Sequence, residues 1–527
     1  MKHFRIIFKP DNRQISIHAG ATVIEAAAQA GIILNSDCGG KGTCRKCVVG
    51  IEPDGREVLS CQHHIESDLT VTIPDSSRFF EQKILTEGIE TGAQFEPDIY
   101  KKYLKDATED KIFGVAVDIG TTTVVAKLIN MKDGKCLATQ AALNPQTRYG
   151  DDVISRIAYA QNDKKSAELQ KSIIDCINEL ITKLCGQASK ETSQIYELCA
   201  VGNTTMNHIF LKQPIVQLGQ APYRAYSVDA QDVPPRRLHL LMNPAGNIHT
   251  VENIAGFVGS DTTAVALATD IDSAEQMTLV IDIGTNGELV LGTRNKLYAA
   301  SCAAGPAFEG ARIYCGSRAV YGAIQAVIIN NDDIDSDVIG NCAARSICGS
   351  GLIDAAAVML DLGIIDKTGR FAKPDTLAGK VPEKIIGRII EHNGQPAFVL
   401  ADANEKKVIL TQKDVREIQL AKAAIRAGIK ILLNKIGLKD TDIMQILLAG
   451  AFGNYIRPQS ALKTGLLPEV GLERIRFVGN AAAAGAQALL LSSRYRGKAL
   501  QLARKIKYVE IANTKEFQNI FSESMSF

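Results

Sequence analysis

Four cysteines near the start of the chain have the types and spacing of ligands for an iron–sulfur cluster. Cys38, Cys44 and Cys47 lie in the stretch CGGKGTCRKC, and Cys61 follows in VLSCQ. The glycines after the first cysteine allow the backbone to bend tightly around a cluster, and cysteine thiolates are its usual ligands. A zinc site is the alternative, although zinc ribbons favour two separate C-x2-C pairs and this segment has one. We predict a [2Fe–2S] cluster.

The flanking residues supply elements that could position these thiols. Residues 3–8 and 13–18 alternate like a strand pair, TVIEAAAQAGI has helical periodicity, and DLTVTIP has the pattern of a closing strand. This arrangement resembles the β-grasp ferredoxin module. It departs from plant-type ferredoxins in one respect, because only thirteen residues separate Cys47 from Cys61. The resemblance implies a small electron-transfer domain.

Composition limits the classes of function. The 527 residues include 59 basic and 58 acidic side chains, for a net charge of +1, which gives no electrostatic reason to expect nucleic acid or an anionic membrane as a partner. The start lacks the apolar core of a signal peptide, and no apolar run approaches the ~20 residues of a membrane helix. The other eight cysteines are scattered and read as buried thiols of a reducing compartment. We therefore expect a cytoplasmic protein without a membrane segment.

An internal duplication organises the rest of the chain. IFGVAVDIGTTTVVAKLINM and MTLVIDIGTNGELVLGTRNK each read as a strand, a D-I-G-T turn and a returning strand. Further strand and helix patterns follow in both halves: IYELCAVGNTT and NIAGFVGSDTTAVALA in the first, DIMQILLAGAFGN and RIRFVGNAAAAGAQALLL in the second. Two homologous α/β lobes are the simplest interpretation.

The two turns have the chemistry of phosphate cradles. A glycine at the tip of a hairpin exposes backbone N–H groups to an anion, and adjacent hydroxyls add donors. The candidate cradle residues are Gly120, Thr121, Thr122 and Thr123 in the first half, and Gly284, Thr285, Asn286 and Gly287 in the second. Asp118 and Asp282 end the preceding strands, where a carboxylate can hold Mg²⁺ against phosphates. An ordinary hairpin connection explains either turn alone.

Residues 111–492 resemble the actin-like superfamily of sugar kinases, actin and heat-shock chaperone ATPases. The matching segments are VDIGTTT, IDIGTNGE and LLAGAFGN. The resemblance implies that ATP and Mg²⁺ bind between the lobes, with Gly450 and Gly453 of the third segment close to the adenosine. Glu288 and Asp261 are candidates for positioning the attacking water. The G-S-G at residues 349–351 offers a further helix N-terminus for a phosphate, or a tight turn.

The expected fold is multidomain, α+β and α/β. It comprises a β-grasp [2Fe–2S] ferredoxin-like domain over residues 1–78, a linker over 79–110, and a two-lobed actin-like, ribonuclease H-like ATPase region. The first lobe is expected at 111–272 and the second at 273–492. Residues 493–527 are expected to form a C-terminal tail.

A one-electron cluster fused to an ATP-driven clamp suggests that an electron is pushed to an acceptor that its donor cannot reduce unaided. A gap of roughly 120 mV costs about 2.8 kcal/mol for one electron and leaves the acceptor about 1% reduced. A clamp with two conformations can overcome such a gap.

Nearly the whole chain resembles the ATP-dependent reductive activators of corrinoid proteins. NPQTRYGDDVISRI, AVGNTTMNHIF, AAGPAFEGARI and ICGSGLIDA are similar to signature segments of that family. The resemblance implies that one electron returns an inactive Co(II) corrinoid methyl-transfer protein to Co(I), with ATP supplying the drive. It also implies a low-potential electron donor protein and a homodimer.

Several alternatives stay open at this stage. An activator of another low-potential acceptor, like those of 2-hydroxyacyl-CoA dehydratases, is one. A redox-sensing switch in which the cluster controls a chaperone-like ATPase is a second, and a small-molecule kinase is a third. Within the signature segments, Asp151 and Asp152 could simply cap the helix DVISRIAYAQ, and Asn203 with the two threonines after it could cap the next helix.

Overall fold

A computed structural model describes residues 2–10, 12–30, 32, 34, 47–53, 55–74, 77, 97–150, 152–403, 406–450, 456–511 and 514–527. Cys38, Cys44 and Gly453 of the predicted sites, Asp151 of the predicted helix cap, and the linker up to residue 96 lie outside these described residues.

The N-terminal domain is a mixed sheet with one helix against it. Its elements are β1 (His3–Lys9), β2 (Arg13–His18), α1 (Val23–Gln29), β3 (Val48–Glu52), β4 (Arg56–Leu59) and β5 (Leu69–Thr72). The strands lie in the order β2-β1-β5-β3-β4, with β1 and β5 parallel. Alternate residues of β1, Phe4, Ile6 and Phe8, are buried against α1. The predicted strand pair, helix and closing strand are confirmed.

The first lobe follows two short 3₁₀ turns at Ile99–Tyr103 and Glu109–Lys111. Its strands are β6 (Phe113–Ile119), β7 (Thr123–Asn130), β8 (Cys136–Leu143), β9 (Ile195–Gly202), β10 (Gln231–Val233) and β11 (Asn247–Thr250). Its helices are α2 (Val153–Tyr159), α3 (Asp163–Ala188), α4 (Thr204–Phe210), α5 (Pro235–Leu238) and α6 (Ser260–Ala268). The sheet order is β10-β11-β9-β6-β7-β8.

The second lobe repeats this sheet. The strands of its main sheet are β12 (Thr278–Ile283), β13 (Gly287–Thr293), β14 (Lys296–Cys302), β21 (Gln445–Ala449), β22 (Ile475–Gly479) and β23 (Ile506–Tyr508). Its other strands are β15 (Ala323–Asn330), β16 (Asp333–Val338), β17 (Ser346–Ile347), β18 (Ile389–His392), β19 (Gln395–Ala403) and β20 (Lys406–Thr411). Its helices are α7 (Gly349–Asp361), α8 (Pro374–Leu377), α9 (Glu383–Ile386), α10 (Gln412–Ile436), α11 (Pro458–Lys463), α12 (Ala481–Leu491), α13 (Ser493–Lys505) and α14 (Lys515–Glu523).

The duplication is visible in the strand order. The main sheet of the second lobe runs β22-β21-β12-β13-β14-β23, and the first runs β11-β9-β6-β7-β8 along its corresponding strands. In each lobe an antiparallel hairpin lies beside two parallel strands that return through helices. Two smaller sheets, β16-β15-β17 and β18-β19-β20, complete the second lobe. The predicted two-lobed α/β architecture is confirmed.

Helices fill the space between the two main sheets. The apolar side chains of α6, α12 and α13 form one buried cluster with residues of both sheets, such as Cys199 of β9 and Val280 of β12. α3 and α4 cover the opposite face of the first sheet, while α7 and α10 cover that of the second. α3 shows why such a helix forms, since its buried Leu169, Ile173 and Ile177 recur every four residues. The lobes therefore share a packed central layer.

Two segments expected to lie outside the lobes are built into them. The end of the expected linker buries Ile99 and Tyr103, and the Tyr103 hydroxyl donates to the buried carboxylate of Glu197. In the expected C-terminal tail, α13 packs within the central layer, β23 pairs in parallel with β14, and α14 lies beside α10. The tail adds buried structure to both lobes. The domain boundaries themselves stay a prediction.

The N-terminal domain touches the second lobe at the β15–β16 hairpin. The Gln29 amide at the end of α1 donates to a carboxylate oxygen of Asp337. Asn341 Nδ2 donates to the backbone carbonyl of Ser16 at 2.9 Å. These two hydrogen bonds show that the end of α1 and the strand β2 form the surface of the domain that contacts the second lobe.

Candidate functional site

A cleft of about 320 Å³ opens where the two hairpin turns meet. The turn between β6 and β7 carries residues 120–122, and the turn between β12 and β13 carries residues 284–286. The hydroxyl oxygens of Thr122 and Thr285 lie 2.9 Å apart across the lobes. The predicted residues that line the cleft are Asp118, Gly120, Thr121, Thr122, Thr123, Asp261, Asp282, Gly284, Thr285, Asn286, Glu288 and Gly450. The cleft thus brings together residues from distant parts of the sequence.

The first turn is held rigidly by its surroundings. A Cβ at Gly120 would lie 2.5 Å from the Thr123 carbonyl oxygen, so the turn requires glycine there. The Asn144 amide donates to the Gly120 carbonyl at 2.8 Å, and the buried guanidinium of Arg156 donates to the Thr121 carbonyl at 2.5 Å. These carbonyl oxygens already accept hydrogen bonds within the protein. The hydroxyl and N–H groups of the turn can then donate to a bound anion.

The second turn differs in one predicted residue. Gly287 is not among the cleft-lining residues; a Cβ there would lie 2.9 Å from the side chain of Ile425 in α10. Its small size serves close packing of the hairpin on that helix. Gly450 follows β21 with φ +88°, and a Cβ there would lie 2.5 Å from an Asp282 carboxylate oxygen. Only glycine allows the backbone this close to the carboxylate.

Four partly buried carboxyl groups gather at the base of the cleft. Asp118 and Asp282 are the penultimate residues of β6 and β12, Glu288 is the register partner of Asp282 in the hairpin, and Asp261 lies in the first turn of α6. Burial and Asp261 raise the pKa of Asp118 to about 7. Burial, Asp261 and Asp118 raise the pKa of Asp282 to about 8. Burial raises the pKa of Asp261 to about 6.

Glu288 shares this environment. Burial and the charges of Asp261 and Asp282 raise the pKa of Glu288 well above its ordinary value. Arg318 is the one lysine, arginine or histidine among the described residues that line the cleft. Acidic groups this close and this buried are unfavourable as anions unless a cation joins them.

The chemistry of this group fits a divalent cation. Mg²⁺ binds through one or two carboxylates and fills its other positions with water and nucleotide phosphates. Among the described residues no cluster of three His, Cys, Asp or Glu side chains has metal-binding geometry by itself. Asp118 and Asp282 are the carboxylates placed beside the two turns.

Two asparagines also line the cleft: Asn203, for which the sequence left a helix cap and a nucleotide contact open, and Asn480, which the sequence did not single out. Asn203 caps α4 by accepting from Met206 N at 3.0 Å and donates to the Thr121 hydroxyl at 2.9 Å. Asn480 caps α12 by accepting from Ala483 N and donates to an Asp118 carboxylate oxygen at 3.3 Å. Both asparagines end a Val-Gly-Asn sequence at a strand-to-helix junction, and this repeated tripeptide is the signal that could have identified them.

The helix-cap alternatives are therefore partly correct. Asp152 caps α2 by accepting from Ser155 N at 2.7 Å, so its role is structural. Asn203 is a cap and a contact of the phosphate turn at once. The G-S-G segment opens α7, and its Gly349 and Ser350 line the cleft together with Cys348. Glu309, which sequence reasoning did not assign, also lines the cleft and accepts a hydrogen bond from Thr285.

The thiols of Cys47 and Cys61 lie together in the N-terminal domain. Their sulfur atoms are 3.3 Å apart, and both residues are buried and not joined in a disulfide. The β3–β4 hairpin brings them together because Val48 pairs with Leu59, which puts Cys47 beside the end of β4. Two thiolates on one tetrahedral metal ion lie about 3.8 Å apart for bonds of ~2.3 Å, so the pair fits one iron of a cluster. Cys38 and Cys44 lie outside the described residues.

No helix within the part of the chain that the structure describes is both long enough and apolar enough to cross a membrane.

Comparisons with known proteins agree with each part of this description. A family model described as the C-terminal domain of RACo, the ASKHA domain, matches residues 276–527. A second, the RACo middle region, matches residues 113–274. A third, a 2Fe-2S iron–sulfur cluster binding domain, matches residues 4–75. The three matches follow the N-terminal domain and the two lobes.

Curated relatives and a solved structure cover nearly the same span. The corrinoid activation enzyme RamQ of Eubacterium limosum is 34% identical and covers 99% of both chains. A [Co(II) methylated amine-specific corrinoid protein] reductase of Methanosarcina barkeri is 25% identical over 79% of this chain and 77% of its own. A solved structure titled reductive activator for corrinoid, iron–sulfur protein has a TM-score of 0.75 at 31% identity, covering 99% of this chain and 98% of that one. On this evidence the chain belongs to the family of ATP-dependent reductive activators of corrinoid proteins.

Proposed function

We propose that this protein reductively activates a corrinoid methyl-transfer protein, converting inactive Co(II) to Co(I) with one electron in a reaction driven by ATP. The observation that carries the proposal is that one chain combines the buried Cys47–Cys61 thiol pair with a two-lobed, acid-based phosphate cleft. A carrier would not need the cleft, and a kinase would not need the thiols. The full-length similarity to RamQ and to the solved reductive activator supports the same reaction.

Asp118 and Asp282 would hold Mg²⁺, which neutralises phosphate charge when bound. Each ends a strand beside a phosphate turn, so a cation held between them can contact phosphates cradled by both lobes. Asn480 orients the Asp118 carboxylate through its amide. Thr122 and Thr285, one from each lobe, would donate to phosphate oxygens in the closed cleft. Nucleotide binding would thereby fix the angle between the lobes.

Cys38, Cys44, Cys47 and Cys61 would hold a [2Fe–2S] cluster, which supplies one electron when bound. All four lie in the N-terminal part of the sequence, and the hydrogen bonds from Gln29 to Asp337 and from Asn341 to the Ser16 carbonyl join the N-terminal domain to the second lobe. A change in the lobe angle can therefore change how the domain is presented to a partner. Closure of the cleft is the step at which ATP would favour transfer.

Further parts of the proposal concern the surroundings of the protein. A low-potential protein would reduce it, the protein would act in the cytoplasm, and two copies would associate through the actin-like region. Mass photometry at nanomolar to micromolar concentration would test the homodimer, and a single species at the mass of one chain would contradict it.

The proposed function is tested by anaerobic absorbance of a Co(II) corrinoid protein mixed with this protein, a low-potential reductant and Mg-ATP. Co(I) should form with the wild type and with Cys136→Ser, a matched control at an edge strand of the first lobe. Cys61→Ser and Asp282→Asn should each abolish the ATP-dependent signal, for different reasons. If Co(I) forms equally fast without ATP, or with Cys61→Ser, the proposed function is wrong.

A further inference from the structure

Five carboxylates line the cleft, and one of them is separate from the others in its contacts. Asp118, Asp261, Asp282 and Glu288 form the acidic group already described, in which each residue raises the pKa of a neighbour or has its own pKa raised by one. Glu309 is as exposed as these four, but it is hydrogen-bonded to the second phosphate turn, because its carboxylate accepts from the Thr285 hydroxyl at 2.5 Å. A carboxylate beside a phosphate cradle repels the anionic ligand. Its presence at this position therefore indicates a role in the reaction.

The position of Glu309 is fixed by the fold. It ends the short 3₁₀ turn Pro306–Glu309, whose Phe308 is buried in the core of the second lobe. The backbone N–H of Gly305 donates to the Thr285 carbonyl at 3.1 Å, so the segment is tied to the turn by its backbone as well as by the side chain. Gly310 follows with φ +81°, and a Cβ there would lie 2.3 Å from the Ser317 carbonyl oxygen. The carboxylate is therefore presented to the cleft by a segment with little freedom.

The hydroxyl protons between the lobes can be assigned from these contacts. Thr285 has one proton, which it donates to Glu309. The 2.9 Å contact between Thr122 and Thr285 must then carry the proton of Thr122. A terminal phosphate entering between the turns requires both hydroxyls to donate to its oxygens. When the phosphate binds, the Thr285 hydroxyl donates to it instead of to Glu309. The Glu309 carboxylate can then accept a hydrogen bond from another donor beside the phosphate.

We propose that Glu309 is the catalytic base of ATP hydrolysis in this cleft, an inference that rests on the proposed function. A water that replaces the Thr285 hydroxyl as its donor lies next to the point where the two turns meet. The water oxygen attacks the γ-phosphorus, and the bond from that phosphorus to the β–γ bridging oxygen breaks. One water proton passes to the Glu309 carboxylate, and ADP and inorganic phosphate leave.

This assignment differs from the candidates that the sequence suggests. Glu288 and Asp261 belong to the buried acidic group that a cation must neutralise, and the hydroxyl of Ser301 approaches the Glu288 carboxylate at 3.5 Å. Among the described residues, neither carboxylate is hydrogen-bonded to a phosphate turn, whereas Glu309 is bonded to the turn of its own lobe. A general base typically accelerates a reaction about 10²- to 10⁴-fold. Other phosphoryl-transfer enzymes use a side chain to orient the attacking water or hydroxyl.

The test compares phosphate release and nucleotide binding in the full-length protein. ATP hydrolysis by the wild type is measured first, followed by Glu309→Gln, Glu309→Asp and the exposed control Glu179→Gln on α3. Affinity for a fluorescent ATP analogue with Mg²⁺ is measured on the same samples. We expect Glu309→Gln to lower kcat at least 100-fold while the analogue Kd changes less than threefold. Glu309→Asp, which keeps the carboxylate, should regain part of the rate, and Glu179→Gln should equal the wild type.

Three results would overturn the assignment. One is a Glu309→Gln rate within threefold of the wild type. Another is loss of analogue binding in parallel with the rate, which would mean that Glu309 supports the cradle and not the chemistry. The third is a wild type that binds the analogue but releases no phosphate; this result removes the reaction that Glu309 would catalyse and leaves the proposed electron transfer, which requires closure of the cleft, to its own Co(I) test.

Discussion

The hydroxyl oxygens of Thr122 and Thr285 lie 2.9 Å apart, although 163 positions separate them in the chain and they belong to different lobes. This hydrogen bond joins the two phosphate turns directly. The two side chains come from equivalent hairpins of a duplicated sheet. A ligand that binds one turn at this point also contacts the other lobe.

Removing one of these hydroxyls should weaken nucleotide binding. Thr285→Val keeps the shape of the side chain and removes its donor to a phosphate oxygen. Hydrogen bonds to charged groups contribute about 1.5–3 kcal/mol, so the Kd for Mg-ATP should rise roughly ten- to hundredfold. A fluorescent nucleotide titration measures it. Thr182→Val, whose hydroxyl donates to Asn178 O on the exposed face of α3, should bind like the wild type, and an unchanged Kd for Thr285→Val would contradict the phosphate role.

His208 should make the first lobe sensitive to acid. Burial lowers the pKa of His208 below 6.5. Its Nδ1 contacts the Thr204 carbonyl at 2.6 Å, and its Nε2 accepts from Ser227 N at 3.3 Å. Below pH 6.5 the unfolded chain takes up a proton that the folded protein resists, so stability is lost as pH falls toward the lower folded pKa.

The measurement is the denaturant midpoint at pH 7.5 and pH 5.5 for the wild type and His208→Gln. The variant should lose less stability between the two pH values, whatever its midpoint at pH 7.5. Exposed His239→Gln serves as the control, since His239 lies at the end of the short helix α5. An equal pH dependence for His208→Gln and the wild type would rule out this explanation.

Asp354 and Arg457 form an ion pair in which the aspartate is buried and the arginine is partly exposed. Arg457 Nε lies 2.8 Å from Asp354 Oδ2, and 2% of the aspartate side chain and 30% of the arginine side chain are exposed. Removing one member of a fully buried pair costs about 3–5 kcal/mol because the other charge remains buried. Arg457→Met should lower the free energy of unfolding by less than this amount, and Arg457→Met with Asp354→Leu should recover part of the loss. Chemical denaturation of both variants tests the coupling, and a single variant as stable as the wild type would contradict it.

Contacts between the N-terminal domain and the second lobe form a continuous chain to the cleft. Gln29 and Gln325 both donate to Asp337 Oδ2, and the Ser350 hydroxyl donates to the Gln325 carbonyl at 2.8 Å. Ser350 lines the cleft. We expect Mg-ATP to change hydrogen–deuterium exchange in α1 of the N-terminal domain, and Asp337→Ala to reduce that change. Identical exchange with and without nucleotide would show that the chain of contacts carries no coupling.

The fold was predictable from the sequence where patterns are local. Alternation in residues 3–8 and 13–18 is confirmed as β1 and β2, and the two D-I-G-T turns are confirmed as equivalent hairpins. The residues 493–527 were expected to be a tail because their basic, polar composition hides the few buried positions that anchor them, among them Tyr495, Ala499 and Leu502. Such positions become informative only once the partner surface between the sheets is known.

The two glycine turns of the candidate site could be predicted from the sequence. The residues that hydrogen-bond to these turns and to their aspartates could not. Asp118 and Asp282 end strands before glycine turns, a pattern that carries its own chemistry. Asn480 and Glu309 have no such local signal, because each acts on a residue far away in the chain. Gly287 illustrates the opposite error of inclusion, since a glycine in a phosphate-loop sequence can serve helix packing.

The proposed function requires ATP for one electron to pass from this protein to Co(II). The most direct test is a single-turnover stopped-flow experiment without external reductant. The protein is reduced, freed of reductant, and mixed anaerobically with a Co(II) corrinoid protein, with or without Mg-ATP, while Co(I) absorbance is recorded. We expect up to one Co(I) per chain with Mg-ATP and almost none without it. Equal Co(I) in both mixtures, or none in either despite ATP binding, would contradict the proposed function.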